Sequence, residues 1–285
     1  MKLYTINTGN FKLDGGAMFG VVPKVIWNKL CPADNNNLID MSMRSLLIED
    51  GNRLILIDNG IGDKQDDKFF SHYDLHGDDS IDKSLAKNGF HRDDITDVIL
   101  THLHFDHCGG SVVRDGEKLI TAFKNATYWS NPNHWDWAVN PNAREKASFL
   151  KENILPIQES GQLKMIESGT TPSIQNTTPF TDQICLRFAE GHTASMMLPQ
   201  ISYKGKTIVF MADLIPMTGH IPLPYIMAYD MFPLTTLKEK KLFLDEAATN
   251  DYILFFEHDA FTECCTLQST EKGVRLKEKF KLSEI

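Results

Sequence analysis

Thr101–Gly110, THLHFDHCGG, sets His102, His104, Asp106 and His107 within six consecutive positions, directly after the apolar run Val98–Leu100. A loop kept only for its shape has no use for such a set. In an extended chain alternate side chains share a face, so His102 and His104 point the same way and can grip one cation. The turn that follows re-aims Asp106 and His107. Neutral imidazoles and a carboxylate suit zinc, manganese or iron, and no thiolate is needed. One loop cannot fill two metal positions, so further ligands are expected at the ends of later strands. The sequence supplies them: His192 in Glu190–Thr193 (EGHT), Asp213 closing TIVFMAD and His258 closing ILFFEH. Each stands at the edge of an apolar run, where a rigid scaffold can hold chemistry.

Outward from that loop, the first half of the chain reads as strands at Ser45–Glu49 and Leu54–Asp58, a helix around Ser80–Gly89, and a strand Ile95–Thr101 that runs into the histidines. The second half reads as strands at Gln183–Phe188, Met196–Ser202, Thr207–Ala212 and Tyr252–Glu257, with a helix over Leu234–Asn250. Continuous apolar strands such as Thr207–Met211 (TIVFM) and Ile253–Phe256 (ILFF) belong in sheets covered on both faces. The fold class expected is therefore α/β, a sandwich of sheets flanked by helices. Between the halves lies Tyr128–Asn142 (YWSNPNHWDWAVNPN), read as a helix bounded by turns at Asn131–Pro132 and Asn140–Pro141. It suits either a lid or an amphipathic helix that buries Trp135. Asp14–Leu38 carries few strand signals and suits a contact in a homodimer.

The order HxHxDH, then His in a GHT context, then Asp after an apolar strand, then a late His resembles the metallo-β-lactamase superfamily over essentially the whole chain. That resemblance implies an αββα four-layer sandwich in a single domain, 1–285, with two pseudo-related halves of roughly 1–160 and 161–285. It also implies that His102, His104 and His192 hold a first metal and that Asp106, His107 and His258 hold a second, with Asp213 bridging both. Asp58, in LILIDNG, matches the superfamily's early aspartate that buttresses the histidine loop. Asp14–Lys24 (DGGAMFGVVPK) with Trp27, and Met227–Asp230 (MAYD), are similar to the quorum-quenching lactonase-like and methyl parathion hydrolase-like branch.

Composition narrows the chemistry. A net charge of −9 disfavours nucleic acid and anionic lipid, which select basic faces. The Lys-rich end, Lys272–Lys281, is interleaved with Glu and makes no basic arm. No apolar run is long enough to span a bilayer, and the start, MKLYTINTGNFKLDGG, lacks the apolar core of a secretory signal, so a cytoplasmic protein is expected. Five cysteines, Cys31, Cys108, Cys185, Cys264 and Cys265, have no CxxC spacing and read as buried free thiols.

The function expected is hydrolysis of a lactone or ester carbonyl by a hydroxide bridging two divalent metal ions, zinc first, with manganese or iron as alternatives. The substrate is a small uncharged ester or lactone. Met18, Phe19, Trp27, Ile221 and Leu223 are candidate pocket residues. One departure from the lactonase pattern bears on this. Homoserine lactonases of the superfamily usually carry a Tyr three residues after the bridging Asp, where this chain has Pro216. The departure favours esterase or phosphotriesterase chemistry as the alternative, and a metal-binding sensor without turnover is a further one. Asp106 and His220 are the candidate catalytic residues: Asp106 as part of the metal–water system, and His220 or Thr218 as donor to the leaving alkoxide.

Overall fold

The computed structural model describes residues 1–167 and 173–285. The described chain groups into two compact units, one of Met1–Asn10 with Met43–Ser168 and one of Phe11–Ser42 with Gly169–Ile285.

The first unit is organised on a six-stranded sheet ordered Lys2–Asp14, Leu38–Asp50, Arg53–Ile57, Asp97–Ile99, Thr127–Ser130, Leu163–Met165, whose first two strands run on beyond the unit. Arg53–Ile57 pairs antiparallel with Leu38–Asp50, and the next three pairings are all parallel. Parallel neighbours need crossover connections. The helix Ile81–Lys87 lies in the first of these, capped by the Ser80 hydroxyl, which accepts from Lys83 N. The inner strands are apolar because both faces are covered. Leu56, Val98, Leu100 and Tyr128 are fully buried, in one cluster with Leu85, Ile154 and Ile157. Each such side chain contributes roughly 1.5–3 kcal/mol of transfer free energy.

The second unit contains a seven-stranded sheet ordered Gly273–Phe280, Cys264–Thr270, Ile253–Phe255, Lys206–Phe210, Met196–Tyr203, Ile184–Ala189, Thr178–Pro179. Only Lys206–Phe210 and Ile253–Phe255 run parallel, and the helix Pro233–Thr249 lies in the connection between them. Phe188, Phe210, Phe243 and Phe255 form a fully buried aromatic interior, with Phe210 stacked on Phe255 at 5.6 Å between centroids.

One expectation needed correction, and two strands lay outside those expected. Tyr128–Asn142 is not helical from its start: Thr127–Ser130 is a strand, and Asn131 then caps the helix Pro132–Val139 by accepting from His134 N. Two aromatic residues beside Thr and Ser satisfy a strand at the sheet interior as readily as a helix. The strand Lys2–Asp14 has weak signals because most of it is half-buried and its apolar positions are interleaved with polar ones. The Lys-rich end is a strand, Gly273–Phe280, at the edge of its sheet, where lysines discourage pairing with other chains.

Candidate functional site

In the first unit the histidine loop is fastened from below by Asp58. Its Oδ1 accepts from Thr101 N at 2.8 Å, and its Oδ2 accepts from the Thr101 hydroxyl at 2.6 Å and from His107 Nδ1 at 3.1 Å. One buried carboxylate thus pins both ends of the ligand run. Asp58 itself has φ of 54°, a left-handed conformation that Asp tolerates better than most residues. With Nδ1–H of His107 donated to Asp58, its Nε2 carries the metal-binding lone pair; the Asp106 Oδ2 stands 3.9 Å from that atom. The glycines after the ligands let two backbones touch. A Cβ on Gly109 would sit 2.0 Å from Ile61 O, and one on Gly110 would sit 2.3 Å from Asn59 O.

His104 is oriented by a residue that no motif in the sequence marks. Glu145 Oε1 receives His104 Nε2 at 3.0 Å, which leaves Nδ1 as the donor toward a cation. Glu145 Oε2 in turn accepts from Trp137 Nε1 at 2.6 Å and Asn142 Nδ2 at 3.2 Å. His134 Nε2 accepts from Leu103 N at 2.8 Å, and Trp135 is buried in the apolar cluster. The Trp-rich helix is therefore packed structure that supports the ligand loop, and the lid reading does not describe it. His102 completes the group, 3.9 Å from His107 and 4.6 Å from His104 between ring centroids, with Nδ1 at 3.1 Å from the Thr101 hydroxyl. Beside it, the Cys108 thiol is pushed up to about 12 by burial, so it is no nucleophile near neutral pH.

In the second unit the three expected ligands meet. Asp213 Oδ2 lies 3.1 Å from His192 Nε2, and Asp213 Oδ1 lies 3.3 Å from His258 Nε2. The residue before it, Ala212, has φ of 42°, a strained turn for a residue with a Cβ that swings the carboxylate off the end of its strand. Both imidazoles are held from behind. His192 Nδ1 pairs with Asp230 Oδ1 at 2.8 Å, and His258 Nδ1 donates to Ser42 O at 2.9 Å. Burial by itself would lower the His192 pKa, but the carboxylates of Asp213 and Asp230 override it and raise the value to about 10. This concentration of negative charge attracts a cation.

The donor set fits divalent metal. Atoms that share one cation at about 2.0–2.2 Å in tetrahedral geometry stand roughly 3.3–3.5 Å apart. Each oxygen of Asp213 is near that spacing from a different imidazole. All the donor residues are buried, His102, His107, His192 and His258 almost completely and His104, Asp106 and Asp213 at 7% exposure.

The remaining candidates are placed differently from expectation. His220 is buried, donates from Nε2 to Met18 O at 2.8 Å and stacks on Phe19 at 4.5 Å, and Phe19 in turn stacks on Trp27 at 5.4 Å. Burial lowers its pKa to about 3, so it is neutral near pH 7 and a poor proton donor. It caps a carbonyl of the short helix Gly15–Phe19. Thr218 is engaged too, both its N–H and its hydroxyl donating to Asp259 Oδ2. Met18, Phe19, Trp27 and Ile221 are core residues, and Leu223 is half-buried. In the MAYD motif, Asp230 proves to be the partner of His192.

A family model of the metallo-beta-lactamase superfamily matches residues 44–258. No curated protein matches the chain. Among solved structures, a probable metal-dependent hydrolase from Staphylococcus aureus is similar at 27% identity and a TM-score of 0.85, covering 98% of both chains. AidC, a dizinc quorum-quenching lactonase solved with a product, is similar at 23% identity and a TM-score of 0.75, covering 98% of this chain and 95% of the other. The hydrolase AbOPH is similar at 23% identity and 0.76, covering 98% and 94%.

Proposed function

This chain belongs to the metallo-beta-lactamase superfamily and is a metal-dependent hydrolase, and on that premise we propose that it opens a lactone or small uncharged ester with two divalent cations, zinc first. His102, His104 and His192 would hold one cation, Asp106, His107 and His258 the other, and Asp213 would serve both. The observation that carries this reading is the Asp213 carboxylate, whose two oxygens face two different buried imidazoles. A bound pair of such cations lowers the pKa of water enough to supply a hydroxide nucleophile near neutral pH and offsets the charge that develops on the carbonyl oxygen.

The protein's own part is orientation. Asp58, Glu145, Asp230 and the Ser42 carbonyl fix which nitrogen of His107, His104, His192 and His258 faces a cation. An apolar layer lies beside the first-unit ligands. Phe105, between His104 and Asp106, packs at 4.7 Å against Tyr73 and 5.4 Å against Phe69, both half-buried. Such a surface suits the hydrocarbon part of an ester or acyl lactone. The lactone-specific reading is supported by the likeness to the lactonase AidC. Pro216, at the position of the lactonase Tyr, supports the phosphotriester alternative, since that phenol is missing.

A second copy of the chain is the proposed macromolecular partner. Val21, Val25, Ile26 and Leu30 are exposed apolar side chains within Asp14–Leu38, the segment that suits a dimer contact. A soluble cytoplasmic setting is the proposed one; no described helix is long and apolar enough to cross a membrane.

Metal analysis of the purified protein is expected to give about two ions per chain. Assays with a homoserine lactone, an aryl ester and a phosphotriester then rank the substrate classes. Two bound metals with no turnover of any of the three would replace the hydrolytic reading with the sensor, and fewer than one metal would reject the ligand assignment. Sedimentation showing a monomer at micromolar concentration would reject the dimer.

A further inference from the structure

The helix Pro233–Thr249 buries three polar side chains, Thr236, Glu239 and Lys240. Glu239 faces the turn that leads into His192. Its Oε1 accepts from Glu190 N at 2.8 Å and its Oε2 from Gly191 N at 3.1 Å, so one carboxylate holds two consecutive backbone N–H groups. The turn lies directly on the helix start: a Cβ on Gly191 would come within 2.4 Å of Thr236 N. Its carbonyls are engaged as well, Gly191 O by Phe232 N at 2.8 Å and His192 O by Met231 N at 3.0 Å. On the far side of the turn the Glu190 carboxylate accepts from Ser195 N and the Ser195 hydroxyl.

A carboxylate gives each of the two adjacent N–H donors an oxygen of its own, a return for burying it in spite of its desolvation. A glutamine at this position would accept one bond and turn its own NH₂ toward the other N–H. Lys240, the next residue, does a different job. Its Nζ donates to Pro222 O at 3.1 Å and Tyr225 O at 2.7 Å and so ties down a loop that carries no proposed ligand.

We propose that Glu239 is a positioning residue for His192, fixing the two amides ahead of it so that the imidazole is already aimed at the cation. The inference rests on the reading of His192 as a metal ligand. It adds a determinant of metal affinity far along the chain from the ligand run.

The test compares Glu239→Gln with Lys240→Met in the full-length protein, reading zinc affinity by competition with a chromophoric chelator, the melting temperature, and kcat and KM at saturating zinc. For Glu239→Gln the expected result is zinc binding weaker by about 10-fold or more, with KM within twofold of wild type. For Lys240→Met it is a comparable fall in melting temperature with zinc affinity within twofold. Unchanged zinc affinity and kcat in Glu239→Gln, with only the melting temperature lowered, would make Glu239 purely structural. Equal losses of affinity in both variants would do the same. Hydrogen exchange on the wild-type chain gives a readout that no folding defect can obscure: the Glu190 and Gly191 amides are expected to be protected before and after chelation, and exchange at the rate of an unstructured amide would overturn the proposal. His192→Ala tests the underlying reading separately. Should it bind zinc as tightly as wild type, the ligand assignment fails whatever Glu239 does.

Discussion

The two units present the same donor chemistry by opposite means. In the first, His102, His104, Asp106 and His107 come from one loop, and a single carboxylate, Asp58, holds Thr101 at one end and His107 at the other. In the second, His192, Asp213 and His258 arrive from the ends of three strands, and each histidine has its own support, Asp230 for one and Ser42 for the other. Ser42 is tied in turn to the same strand end, its hydroxyl donating to Glu257 O at 2.6 Å. Asp58 is shared by both ends of the loop, with Glu145 and His134 holding the stretch between them, so its loss disturbs the loop at two points at once, whereas separate strand ends fail one ligand at a time. The difference turns the residues behind the ligands into a graded series.

The largest effect is expected at Asp213, where the second unit concentrates its function in one side chain. Asp213→Asn should lower kcat to below about one-hundredth of wild type and weaken metal binding, because an amide cannot offer a charged oxygen to each cation. Retention of activity within about threefold, in a steady-state assay, would remove the shared role of Asp213.

Next comes the contrast between fastenings. Asp58→Ala leaves buried donors of Thr101 and His107 unsatisfied and is expected to destabilise the fold by about 3 kcal/mol while releasing metal from the whole loop. Asp230→Asn should loosen His192 alone, for about a 10-fold loss of metal affinity with little change in stability. Denaturant titrations paired with metal competition measure both. Equal effects from the two variants would mean that the loop has no special dependence on Asp58.

His220→Ala probes a residue placed in packing. Removing an imidazole stacked on Phe19 opens a cavity, and a loss of roughly 2–4 kcal/mol is expected with both metals retained and kcat within about threefold. The reverse outcome, intact stability with a 10²-fold loss in kcat, would return His220 to the chemistry.

The pH dependence of stability gives a separate contrast. Burial raises Glu239 from 4.5 to about 7, so the folded state holds its proton over a range in which the unfolded chain has released it. Stability should therefore fall as pH rises from about 4.5 to 7. Burial lowers Lys240 from 10.5 to about 7, so there the unfolded chain binds the extra proton, and stability should rise as pH goes from about 7 to 10.5. Glu239→Gln should flatten the first limb and Lys240→Met the second, as followed by melting temperature. A profile identical to wild type in either variant would show that the group does not titrate in that window.

Much of the site is legible in short stretches of the chain. The ligand types, their spacing in THLHFDHCGG and the apolar strands before Asp213 and His258 are local features, and each strand forms within a few residues of its expected place. The histidine and aspartate side chains announce metal chemistry by identity alone. The positions behind them do not. Glu145 reaches His104 across 41 positions, Asp230 reaches His192 across 38, and Ser42 reaches His258 across 216. Glu145 and Ser42 stand in no motif, and although Asp230 closes MAYD, nothing in that stretch says which histidine it reaches. A lone Glu or Ser looks the same on the surface as behind a ligand.

The sequence by itself marked the candidate metal ligands and that layered strands would hold them, because side-chain identity and apolar periodicity act over a few neighbouring positions. The tertiary structure decided which nitrogen of His104, His107, His192 and His258 is the donor, that His220 caps the helix Gly15–Phe19, and that Phe11–Ser42 groups with Gly169–Ile285 rather than with the residues that follow it in the chain. Those outcomes depend on distances between residues far apart in sequence, which exist only once the backbone has closed.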